Sequence, residues 1–229
     1  MKKTDILVFI IVTLCILPFF LFKSALDGYM QMNAAHPYIM AFIKFAILAT
    51  FGEMLALRIK SGVYYRHDFG VFPKMIVWGF LGIWIAFAMK VFAVGVPFVV
   101  EKIGVEGLTS AMTESFSVWK LLGAFCISVM MNTSFAPVFM TLHKITDTHI
   151  QQHGGRLKSL IIPLNVKEIM PKLDWKTQWN FVFKKTIPLF WIPAHTITFI
   201  LPVDFQVLFA ALLSIALGLI LALATLISK

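Results

Sequence analysis

Long apolar runs separated by short polar stretches dominate this chain. They cover Ile6–Phe22, Tyr38–Leu57, Pro73–Val100, Val118–Leu142, Ile187–Leu201 and Phe205–Ser228. A helix rises ~1.5 Å per residue, so ~20 apolar residues cross a ~30 Å hydrocarbon layer. The runs lack the short alternating segments of a membrane β-barrel. The pattern predicts an all-α fold, a polytopic helical membrane bundle of about six transmembrane helices. No polar stretch is long enough to fold as a second domain, so residues 1–229 read as a single membrane domain.

The breaks between runs add detail. Met1-Lys2-Lys3 followed by Ile6–Phe22 has the basic start and apolar centre of a signal peptide, but Phe22-Lys23-Ser24-Ala25-Leu26-Asp27 lacks a good cleavage site. It is read as an uncleaved first helix with Pro18 as a kink, followed by a polar linker from Lys23 to Pro37. Residues 1–36 thus form an N-terminal helix and linker. Pro137 removes one backbone bond in the fourth run, where Thr133 or Ser134 can bond a freed carbonyl. The longest polar section, 143–185, reads as a cytoplasmic loop in short pieces, with Asp174–Phe183 as an interfacial helix. The fifth run is short and is interrupted by Pro188 and Pro193.

Composition agrees with a membrane class. The chain is 59% hydrophobic, and its 14% of charged residues falls well below the ~25% of soluble domains. The net charge of +9 is read as topological, with no nucleic-acid partner implied. With the N-terminus inside, the inner segments hold Lys2, Lys3, Arg58, Lys60, Arg66, Lys74, the lysine-rich 143–185 stretch and Lys229. The outer segments hold only Lys23, Lys102 and the flanking Lys120. That asymmetry places both termini on the cytoplasmic side. Cys15 and Cys126 lie in apolar spans and read as small buried hydrophobes.

Candidate chemistry sits within the spans. Lys90 is the only charged residue between Lys74 and Glu101. A lysine at mid-membrane costs roughly 2.5–3.5 kcal/mol on insertion scales, so it is expected to face protein or water. Lys44 and Glu53 share the second run nine residues apart, on opposite faces of a helix, and cannot pair with each other. The topology sets Lys44 roughly 10 Å and Lys90 roughly 15 Å below the outer boundary. Glu53 lies further in, near the depth of Asn132, and His195 lies close to mid-membrane. Lys44, Glu53, Lys90, Asn132 and His195 are therefore the expected pore-lining or gating group for small solutes. Against that, Lys44 can snorkel outward, Glu53 can pair with Arg58 or a nearby lysine, and His195 can bond a carbonyl. Gly79, Gly82, Ala86 and Gly218 offer small surfaces for close helix packing, which also permits a homo-oligomer. His149 and His153 are spaced as a metal pair, but no further ligand completes a site, so no metal or cofactor is expected. No nucleophile elbow or phosphate-cradling glycine loop points to an enzyme.

Four stretches, in order, carry a family resemblance. They are His36-Pro37 with Gly52-Glu53; Gly79-Phe80-Leu81-Gly82 through Met89-Lys90-Val91-Phe92; Asn132 through Phe135-Ala136-Pro137; and Trp191, Pro193, Phe199 and Pro202. Over about Pro37 to Leu223 the chain resembles the Mpv-seventeen and twenty-two-kilodalton peroxisomal membrane protein family. It departs from the family pattern at Ala88-Met89, at Met131-Asn132 and near Thr198. The resemblance implies a small helical membrane protein of organelles or, for divergent members, of bacteria. It implies a channel for small solutes, with the bilayer and solutes as partners. The Met-Lys-Lys start and the lack of an Arg- and Ser-rich transit peptide lean toward a bacterial inner membrane. The resulting expectation is a passive pore or permeability regulator. The alternative is a non-conducting membrane scaffold whose interior charges pair with one another.

Overall fold

Apolar runs broken by glycine and proline fold as long helices joined by short turns. The computed structural model describes residues 2–227, with side chains as far as 220. Ser228, the end of the expected last span, and Lys229 lie outside the described residues. The chain divides into a small N-terminal unit ending at Met40 and a main unit starting at Ala41.

The N-terminal unit holds α1 (Lys3–Leu21) and α2 (Lys23–Ala35). Pro18 lies inside α1, and Phe19 meets Tyr29 edge-on with ring centroids 5.9 Å apart. The stretch read as a polar linker is itself helical, because Lys23–Ala35 contains no proline and its single glycine, Gly28, is tolerated within a helix.

α3 (Pro37–Ser61) leads into the main unit, followed by α4 (Val71–Lys102), a short α5 (Leu108–Ala111) and the central α6 (Val118–Gln152). Short turns α7 (Val166–Ile169) and α8 (Trp175–Thr177) precede a π-wound segment, Gln178–Trp191. α9 (Ile192–Ile200) and α10 (Val203–Ile227) complete the unit. Among the described residues there is no strand. Among the described residues, five helical stretches are long and apolar enough to cross a membrane: Lys3–Leu21, Pro37–Ser61, His67–Lys102, Val118–Gln152 and Val203–Ile220.

Two differences from the sequence reading matter. α6 runs ten residues past Leu142, so His143 to Gln152 is helix where a loop was expected. The region around the fifth apolar run is one continuous helical rod from Trp175 to Ile200. Asp174 caps its start by accepting from the Thr177 hydroxyl at 2.6 Å and the Thr177 N–H at 3.0 Å, and these bonds hold its carboxyl below the usual range. A proline ring inside an α-helix collides with the carbonyl four residues back. Around Pro188 the winding widens to bonds reaching five residues back, which relieves that collision, and Pro193 follows directly where this winding gives way to α9.

α6 packs against α4 on one side and α9 on the other. The core between them is built from Phe45, Trp78, Leu81, Met89, Ile127 and Phe199 with small residues such as Ala49 and Ala124. Small residues set the helix approaches. A Cβ on Gly79 would lie 2.3 Å from the Phe42 ring, and one on Gly82 would lie 2.5 Å from the Phe45 Cβ. Ala86 continues that buried row. α10 approaches α3 at Gly218, where an added Cβ would lie 3.2 Å from the Gly52 carbonyl oxygen.

Candidate functional site

The C-terminal half of α3, the start of α4 and the C-terminal extension of α6 bring five polar side chains together. Glu53 lies on α3. Lys74 and Trp78, four residues apart, share one face of α4's first turns; His143 and Asp147, also four apart, share one face of α6's extension. Lys74 Nζ donates to Glu53 Oε2 at 2.5 Å and also to Asp147 Oδ1. Trp78 Nε1 donates to Glu53 Oε1 at 2.8 Å, and His143 Nε2 lies 3.1 Å from the same oxygen. Gln151 donates to Asp147 Oδ2 at 2.9 Å.

Lys74 lies at the enclosed centre of the cluster, and Glu53 and His143 at its partly exposed edge. The Lys74 side chain is only 4% exposed. Its ammonium sits 4.6 Å from the Phe69 ring centroid, and the Trp78 and His143 rings lie 4.3 Å apart. The side chains around Lys74, Trp78, His143 and Asp147 leave no space for a water molecule. Two carboxylates thus meet one ammonium, and an indole N–H, an imidazole and an amide supply further donors. A buried ion pair needs such extra bonds to offset its desolvation. The arrangement ties three helices at one point.

A second polar group joins α6 to α9. Ser128 Oγ donates to the Ile192 carbonyl at 2.7 Å, and Asn132 Nδ2 donates to the Ser128 carbonyl at 2.8 Å. With the His195 proton on Nε2, Nδ1 accepts from Asn132 Nδ2 at 3.0 Å. Trp191 stacks on the His195 ring with centroids 5.0 Å apart. His195, for which a backbone bond was weighed, instead bonds the side chain of Asn132.

The five expected lining residues therefore fall in four places. Glu53 belongs to the Lys74 cluster, and Asn132 and His195 meet each other. Lys44 is buried on α3, where the Asp204 carboxylate supplies its opposing charge. Lys90 corrects the expectation that it faces protein or water inside the bundle. It is exposed on the outer surface of α4 beside exposed Phe87, Val91 and Val94. The reason is rotation. At about 100° per residue the exposed residues Phe72, Ile76, Phe80, Phe87, Val91 and Val94 fall on one face of α4, and Lys90 lies at the edge of that face. Buried Lys44 and exposed Lys90 consequently share no common interior.

The sequence reading missed Lys74, Trp78 and His143 as partners of Glu53, and Asp147 as the second carboxylate on Lys74. A usable signal was present: two i, i+4 pairs flanking the apolar runs at the same end as Glu53. The histidine pair is also resolved. His149 Nε2 contacts the Ser159 carbonyl at 3.0 Å, and His153 Nδ1 contacts the His149 carbonyl at 2.8 Å. Among the described residues no group of three or more His, Cys, Asp or Glu side chains is arranged to hold a metal ion.

No family model, no curated protein and no solved structure matches this chain.

Proposed function

We propose that this protein is a non-conducting scaffold of the membrane, crossing it six times with both termini on the cytoplasmic side. The carrying observation is the pairing of interior charge: Lys74, its side chain only 4% exposed, with Glu53 and Asp147. Lys44 opposed by Asp204 adds to it. The buried core of the main unit is apolar and includes Phe45, Leu81, Ile127 and Met131. A conducting path needs polar groups that a solute or water can reach along its length. Here they bind one another. The sixth crossing in this reading is the helical rod that ends at Ile200.

The competing reading is the small-solute pore implied by the family resemblance. Liposome leak decides between them. Vesicles containing the purified chain should lose entrapped small anions, cations and neutral solutes no faster than empty vesicles. Leak that scales with protein content and changes in an Asn132→Leu variant would overturn the scaffold reading.

A further inference from the structure

One cavity lies outside the sites described so far. It opens where the connection between α3 and α4 meets the end of α6, and its volume is about 450 Å³. That lies within the ~300–1,000 Å³ of small-molecule sites. His67, His153, Gly154, Arg156, Lys158 and Ile162 line it. Four of the six carry a cationic or imidazole head, and no carboxylate is among them. The nearest acidic residue in sequence, Asp68, is engaged by Arg66 at 3.6 Å. Among the described residues, no ion pair holds Arg156 or Lys158, so both heads are available.

The wall of the cavity is built firmly. Gly70 and Gly155 pack backbone against backbone: a Cβ on Gly155 would lie 2.6 Å from the Gly70 nitrogen and 2.8 Å from the His67 carbonyl oxygen. That contact pins the segment carrying His67 against the segment carrying Arg156. The bond from the His153 ring to the His149 carbonyl sets the orientation of a second imidazole. The cavity also lies beside the ends of two membrane-length helices, where a bilayer carries its phosphates. Arginine, lysine and imidazole heads around an open concavity are the chemistry that recognises a phosphate group.

We infer that this cavity binds a phosphate group, carried either by a phospholipid headgroup or by a free anion. The test uses the purified full-length chain in neutral detergent at constant ionic strength, with binding followed by calorimetry. The probes are inorganic phosphate, short-chain phosphatidic acid and short-chain phosphatidylcholine. At least one of the first two should bind saturably, and the R156Q/K158Q double variant should weaken it at least about tenfold with its thermal melt unchanged. Both residues are exposed and unpaired, so their replacement leaves the fold intact. Binding of phosphatidic acid without inorganic phosphate assigns a headgroup; binding of inorganic phosphate alone assigns a soluble anion. The control K167Q/K185Q removes two exposed lysines that do not line the cavity and should bind as the wild type does. Three results would overturn the inference: no saturable binding of either probe, equal affinity in R156Q/K158Q, or an equal loss in the control.

Discussion

Two lysines on one helix have opposite surroundings. Lys74 is enclosed by two carboxylates, and Lys90 lies on the outer surface among exposed apolar side chains. Their replacement should act in opposite directions. Lys74→Met leaves Glu53 and Asp147 facing each other without a cation and should cost about 3–5 kcal/mol, the usual penalty for stranding a buried charge. Lys90→Leu should leave the melt of the purified protein unchanged or raised, since it removes a charge that lipid opposes. Thermal unfolding in detergent reads both, and a large loss in the Lys90 variant would place that residue inside the bundle. Glu53 stood out in the sequence as a carboxylate in an apolar run. Its partners did not, because hydropathy marks where lipid contact ends and says nothing about where helical hydrogen bonding ends. His143 and Asp147 are polar, so they read as loop, while the α6 backbone continues through them. Lys90 was misplaced for a different reason. A run that is apolar on every side does not reveal which face is buried, and in α4 the exposed face that Lys90 borders is as apolar as the buried one.

The elements themselves were mostly legible. Long apolar runs need internal backbone bonding in lipid, so helices were the expected outcome. The departures are concentrated at proline and glycine. Pro188 was expected to interrupt a span, and the chain instead changes its winding and continues. Just past the C-terminal end of α6, Gly154 and Gly155 both hold left-handed backbone, with φ of 65° and 67°. Their surroundings differ: nothing lies within 4 Å of a Cβ on Gly154, whereas one on Gly155 strikes the backbone of Gly70. Gly154→Ala should therefore cost about 1–2 kcal/mol from backbone conformation alone. Gly155→Ala should cost roughly 1–3 kcal/mol more, because main chain must shift. Equal melting temperatures for the two variants would show that the Gly70 contact contributes nothing.

At the scale of the molecule, chain regions distant in sequence meet around α6. α4 packs on one of its sides and α9 on another, and the polar bonds across those contacts come from Lys74 to Asp147 and from Ser128 to Ile192. The membrane class follows from composition and run length. Which charges meet does not, because pairing depends on helix rotation and on how far each helix extends beyond the apolar layer.

The Glu53–Lys74 contact also bears on how the chain enters a bilayer. α3 and α4 are consecutive and joined by a short connection, so the two charges lie near adjoining ends of one helical hairpin. Entering together they mask each other, whereas α3 alone must carry a bare carboxylate at about 2.5–3.5 kcal/mol. In cell-free synthesis with microsomes or inverted vesicles, Lys74→Met chains should show a smaller protease-protected fraction of this hairpin than wild type. The Glu53→Gln, Lys74→Met double variant should recover it. Full protection of the single variant would mean that the pair forms only after integration. The contact that clasps the finished bundle would then have no part in biogenesis.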